Sequence, residues 1–479
     1  MYSVITDHRH QKLILLIAAF AIFMDGLDTS IVNVALPVIA ADLHIDISGS
    51  SWVVMAYLLF LAGFMLAFGK IADNGKIQTI FIIGFALFAA SSLVCALSPN
   101  MAVMIIARAC EGLGASMIAA DAPLLITRFL PENRRGLGMG VIATAGGIAT
   151  AFGPALGGFI TEFLSWHWIF LINIPIGIAA IFFARAVIPK PGKKPSRAPF
   201  DRLGTALMFA ATAAFLIFLE RGPEFGWTNP VIISLIALFI LTGAGFCIRS
   251  LTCPYALLNI RIFKHWKFTA VTVSYLLTCA VFAGIMYMLP YYMQNAMGLA
   301  ASAAGLLLML CSIITACIGI PVGSWSDKIG CKLPCILAAV FRIVFCTIFL
   351  FIIPAYGLWA LIPALICMGL SFGISGGPAT TRITQMAPKG EEGTGTGVMI
   401  TSDFLGGDVG VAAYAMVFGI TVPAAIGIPA AELSTDLFMT GFHATSALGL
   451  AFGIITLVLS SIVPNLIVKE NKAASEKLL

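Results

Sequence analysis

Residues 69–76 read GKIADNGK, and residues 323–332 read GSWSDKIGCK. In a chain of 479 residues the two stretches start 254 positions apart, and each places glycine, aspartate and lysine in the same order directly after a long apolar run. A polar turn repeated at about half the chain length signals an internal duplication. What flanks the two copies decides the fold.

The flanks are greasy throughout. Hydrophobic residues make up 60% of the chain, charged residues 10%, and mean hydropathy is +1.02. A soluble domain carries about 25% charge, whereas lipid demands apolar surface and a backbone satisfied within each segment, which helices provide. The composition therefore predicts an all-α polytopic membrane protein. Apolar runs of spanning length lie at 13–38, 51–69, 78–98, 101–122, 138–160, 167–188, 203–220, 230–249, 268–290, 302–323, 333–353, 356–376, 397–420 and 441–465, fourteen in all. The first is too long for a signal peptide and holds two aspartates, so it reads as the first membrane helix.

Charge sorts the loops between these runs. All 27 Lys and Arg fall on one side except Arg221 on the other and Arg108 and Arg342 within spans. The positive-inside rule makes that side cytoplasmic and puts both termini there, as an even number of spans also requires. The net charge of +5 thus reports orientation and gives no hint of nucleic acid. The eleven cysteines are scattered through apolar segments and read as small core residues. No metal ligand set is apparent.

Both copies of the opening motif now fall in cytoplasmic loops, between spans 2 and 3 and between spans 10 and 11. A second echo pairs TRFLPENRRGLGMGV (127–141) with TRITQMAPKGEEGTGTGV (381–398). The chain reads as a six-helix bundle over 1–190, a linker with two extra helices over 191–264, and a second six-helix bundle with a short tail over 265–479. Parallel repeats of this kind place a substrate site between the halves near the bilayer midplane.

Six motifs in order carry a resemblance to the major facilitator superfamily, and in particular to its fourteen-helix drug:proton antiporters. Gly69, Asp73 and Lys76, and again Gly323, Asp327, Gly330 and Lys332, match the superfamily's loop motif, with the second glycine of the first copy one place early at Gly75. LDTSIVNVALP (27–37) is similar to the Asp-bearing first-helix motif, and RACEGLGA (108–115) to the Arg-containing fourth-helix motif, with Glu111 where Gln is usual. GPALGG, with Gly153, Pro154, Gly157 and Gly158, resembles the antiporter motif. WHWIFLINIPIG (166–177) is close to a stretch of the fourteen-helix branch, with His167 in place of Arg. The resemblance implies a proton-coupled antiporter in the cell membrane that exports lipophilic, cationic compounds by alternating access, acts as a monomer and uses no cofactor.

The residues carry their own physics. An Asp and a Lys at a helix end can bond neighbouring termini and release them when the halves rock, so the loops read as a conformational latch, or else as plain solvated turns. GPALGG lets helix 5 kink and a neighbour approach closely. Each ionisable residue at a helix centre costs about 2.5–3.5 kcal/mol on insertion scales, so Asp25, Asp28, Arg108, Glu111, Arg342, Asp403 and Asp408 are candidates for proton coupling or substrate binding. Arg108 and Glu111, three apart, also read as a self-neutralising intrahelical pair. Asp121 ranks lower, as a solvated helix-end acid. Asp408 lies deeper than Asp403, and the two are about 140° apart around the helix. Trp52, Tyr57, Tyr275 and Tyr287 are candidates to stack on a flat cation, while Tyr291 and Tyr292 read as an interfacial belt. There is no Gly-x-x-x-x-Gly-Lys-Ser/Thr stretch, so ATP drive is not expected. A transporter of another metabolite and a non-transporting sensor remain alternatives. The absence of Asn-x-Ser/Thr sites fits a prokaryotic inner membrane.

Overall fold

A computed structural model of the protein describes residues 5, 7–72, 76–189, 201–352, 357–388 and 392–464. These contain fourteen helices long and apolar enough to cross a membrane: α1 (His8–Asp42), α2 (Ile47–Ile71), α3 (Ile77–Ala96), α4 (Met101–Phe129), α5 (Arg134–Phe163), α6 (His167–Val187), α7 (Arg202–Phe225), α8 (Pro230–Thr252), α9 (Trp266–Ala296), α10 (Ala301–Ser326), α11 (Lys332–Ile352), α12 (Leu358–Met386), α13 (Gly397–Thr421) and α14 (Thr435–Ile462). No strand occurs among the described residues. Polar residues mark the starts. Asp7, Asp46, Asn100, Asp201 and Asn229 cap α1, α2, α4, α7 and α8 by accepting backbone N–H bonds that the first turn cannot satisfy internally.

Several helices outrun the apolar stretches that predict them. α4 continues seven residues past 122 and α12 ten past 376, because hydropathy locates the hydrocarbon crossing while the hydrogen-bond ladder carries on into the polar boundary. Two assignments change as a result. Asp121 is fully buried well inside α4, with both carboxylate oxygens unpartnered, and is not a solvated helix-end acid. Arg382, placed in a loop by its charged surroundings, is buried in α12.

α1–α6 form one bundle, in which α1 packs on α5 and α4 on both α2 and α3. In the second bundle, α9–α14, α9 packs on α13 and α11 on α12 and α14. The halves meet along α5–α10 and α2–α13, and α7 leans on both α2 and α13, with α8 lying outside it almost wholly on the surface. Five cysteines are buried, but Cys110, Cys247 and Cys317 are exposed, so the expectation that all eleven are core residues fails: in a bundle facing lipid, an apolar segment does not imply a buried one.

At the end of the molecule where α1 finishes, the halves are stitched together. Tyr291 Oη donates to Ser50 Oγ (2.6 Å), Gln294 Nε2 to Val34 O (2.8 Å), Ala430 N to Ile45 O (3.0 Å) and Ser302 N to Glu162 Oε2 (2.9 Å), and Tyr287 Oη donates to Ile47 O. Tyr291 and Tyr292 are 0% and 4% exposed. Neither belongs to an interfacial belt: the Tyr291 hydroxyl finds its acceptor across the seam, and the Tyr292 ring stacks on Phe442 of α14 inside the second bundle.

The GPALGG segment is the tightest part of this seam. A Cβ on Gly158 would stand 2.3 Å from Ala301 O of α10, and one on Gly305 2.2 Å from Pro154 O, so backbone lies directly on backbone. Gly157 abuts Ile31 of α1 in the same way. Gly158→Val is expected to force the two halves apart here, cutting transport at least tenfold and raising thiol labelling of a cysteine placed at Ser302. Wild-type transport by the variant would show that this close approach is not used.

Candidate functional site

The N-terminal bundle holds a buried polar cluster assembled from five helices. Arg108 on α4 and Asp28 on α1 are each 1% exposed and Glu111 is 0%. Arg108 Nη1 donates to Asp28 Oδ2 at 2.7 Å and to Glu111 Oε2 at 2.8 Å, and its Nε donates to Val53 O of α2 at 2.8 Å. The remaining carboxylate oxygens are also satisfied: Asn173 Nδ2 on α6 donates to Asp28 Oδ1 at 3.0 Å, and Ser92 Oγ on α3 donates to Glu111 Oε1. The Tyr57 ring lies 4.2 Å from the guanidinium carbon, within cation–π range, and its hydroxyl donates to Asp25 Oδ1 at 2.7 Å.

Buried charge is tolerated only when paired and hydrogen-bonded, and this cluster meets that condition with two acids on one arginine. The intrahelical Arg108–Glu111 pair predicted from spacing exists, but Asp28 competes for the same nitrogen. The acids at 25 and 28 divide: Asp28 is sealed into the cluster, while Asp25 is half-buried at its edge. Tyr57 and Tyr287, candidate cavity aromatics, are both fully buried. The first covers Arg108 in place of a ligand, and the second belongs to the seam. Trp52 and Tyr275 remain half-exposed.

On α13, Asp403 is exposed and accepts from Cys279 Sγ of α9 at 3.1 Å. Asp408, five residues on, is completely buried, and neither carboxylate oxygen has a partner. Its neighbour Gly407 faces Leu58 of α2, so Asp408 sits on the helix of the second half that packs against the first. Of the latch residues, Asp73 and the side chain of Asp327 lie outside the described residues. Gly69 lies within α2, Lys76 is exposed at the start of α3, Gly323 faces open space, and Gly330 takes the left-handed backbone (φ 84°) that ends its helix.

A family model described as Major Facilitator Superfamily matches residues 18–411. The chain belongs to the major facilitator superfamily. The riboflavin transporter RibZ of Clostridioides difficile is 31% identical over 86% of this chain and 89% of its own, and the methylenomycin A resistance protein of Bacillus subtilis is 30% identical over 83% and 86%. The multidrug resistance protein Stp of Mycobacterium tuberculosis is 28% identical over 88% and 78%. Among solved structures, a bacterial homologue of the human lysosomal transporter Spinster, in an inward-facing and unoccupied conformation, superposes with a TM-score of 0.70 at 14% identity, covering 95% of this chain and 97% of that one.

The protein is accordingly a multi-pass membrane transporter of this superfamily, with fourteen candidate spans. Sequence reasoning missed Asn173 and Ser92 as members of the superfamily chain's buried cluster. Both were visible as lone polar residues in apolar runs, Asn173 inside the quoted WHWIFLINIPIG, but a single amide or hydroxyl in a span is too common to single out.

Proposed function

We propose that the protein is a proton-coupled antiporter that exports lipophilic cations by alternating access, with both termini in the cytoplasm. The observation that carries this reading is Asp408. An ionised carboxylate with neither donor nor cation in an apolar site costs several kcal/mol, so the site favours the neutral acid, and water reaching it when the halves rock apart would let the proton leave. The relatives named as resistance proteins support export of foreign compounds. Asp25 at the rim of the buried cluster and the exposed Asp403 supply negative charge to hold a cation while Asp408 is neutral.

On the positive-inside assignment the stitched seam lies outside, so the arrangement corresponds to a cavity open toward the cytoplasm. One monovalent cation leaving for one entering proton would be electroneutral, and each additional proton would add about 2.3 kcal/mol per 100 mV. The latch role of Asp73 and Asp327 and the division at 1–190, 191–264 and 265–479 form part of this proposal.

A second reading, transport of a neutral planar metabolite, is favoured by the relative named a riboflavin transporter. Inverted membrane vesicles energised with a proton gradient separate the two. Export of a cationic dye is expected to accumulate dye in the vesicles and to collapse with the gradient, with riboflavin unmoved. Gradient-driven riboflavin uptake without dye uptake would instead establish the second reading.

A further inference from the structure

The C-terminal bundle encloses a small polar cavity, about 20 Å³ in volume, between α9, α11, α12 and α14. Ser274, Tyr275, Ser375 and Ser460 line it together with two arginines, Arg342 and Arg382, which are 1% and 3% exposed. Arg382 Nη2 donates to two backbone carbonyls, those of Ser460 (3.2 Å) and Val463 (2.6 Å). Arg342 makes one bond, Nη1 to Thr456 Oγ1 at 3.0 Å, while its Nε and Nη2 are buried without a partner. No carboxylate lines the cavity. Asp403 of α13 lies beside the cavity without lining it, and is already engaged by Cys279 and Tyr275.

The contrast with the first half is informative. The buried cluster of the first bundle joins one arginine to two acids, whereas the cavity lined by the counterpart helices of the second repeat holds two arginines and no acid. An arginine does not shed its proton in proteins, and an uncompensated buried charge costs several kcal/mol. Arg382 is met by its two carbonyls and Arg342 lies over the Phe372 ring at 5.6 Å, but Nε and Nη2 of Arg342 still lack an acceptor.

We propose that this cavity binds one small monovalent inorganic anion of chloride's size, held by Arg342 Nε and Nη2 with the neighbouring hydroxyls. The volume is that of one or two water-sized species, which suits a monatomic anion. The site lies inside one bundle rather than between the halves, so its occupancy does not depend on which solute is transported.

The test uses the full-length protein purified in neutral detergent and exchanged into sodium gluconate, with chloride then titrated at constant ionic strength. Thermal unfolding is expected to shift upward by about 3 °C or more, saturably, and bromide is expected to act likewise. Ser375→Val, which narrows the cavity and keeps both arginines, and Arg342→Gln are each expected to lose the shift. Independently of either variant, crystals grown in bromide should show an anomalous peak within hydrogen-bond distance of Arg342. Equal unfolding of the wild type in chloride and gluconate would overturn the proposal, as would a bromide-grown crystal with only water at Arg342.

Discussion

Arg108→Gln is expected to abolish transport and to destabilise the protein by about 3–5 kcal/mol, the cost of removing one partner from a buried ion pair. Arg108 Nη1 serves both Asp28 and Glu111 at under 3 Å, and both acids are fully buried, so neutralising the arginine leaves two carboxylates without a cation in one desolvated site. Thermal unfolding of the purified variant reads the stability, and vesicle uptake of a cationic dye reads the activity. Adding Asp28→Asn and Glu111→Gln to the same chain should recover much of the lost stability, because three neutral polar groups can hydrogen-bond without a charge penalty, while transport stays lost. Wild-type melting of the single variant would mean that the cluster does not hold α1, α3, α4 and α6 together.

Asp408→Asn is expected to remove gradient-driven export while retaining cation binding, and Asp403→Asn only to slow it. The two residues share a helix and a side-chain type but differ in surroundings: Asp403 is exposed and bonded to Cys279, whereas Asp408 is buried and unpartnered. An amide at 408 keeps the shape and cannot exchange a proton, so dye binding measured by fluorescence polarisation should stay within a fewfold of wild type as uptake falls to background. Normal uptake by Asp408→Asn with an unchanged pH profile would move the coupling to Asp25 or to the Arg108 cluster.

Much of the architecture was legible in the chain. The repeat of GKIADNGK and GSWSDKIGCK, with the fourteen apolar runs, gave the bundle count because membrane insertion is decided by segment composition and length, both local properties. The helix ends were less legible, since α4 and α12 extend into polar sequence where hydropathy is silent. The site was legible in its charges and opaque in its pairing. Spacing alone could place Glu111 beside Arg108, but that Asp28 of α1 and Asn173 of α6 converge on them depends on how α1, α4 and α6 pack, which no local pattern encodes. Tyr57 shows the same limit: an aromatic in a span suggests a ligand platform, and only the fold reveals that its face is already taken by Arg108. The mismatch between the two bundles, acids with one arginine in the first and two arginines in the second, was hidden because Arg382 sits in a stretch that reads as a loop.

Proton release on substrate binding tests the antiport account most directly. Purified protein in weakly buffered detergent solution, mixed with a lipophilic cation such as tetraphenylphosphonium, should release protons saturably over the same concentration range in which the cation binds, and Asp408→Asn should bind without release. Saturable binding with no proton released from the wild type would contradict the coupling of export to protons.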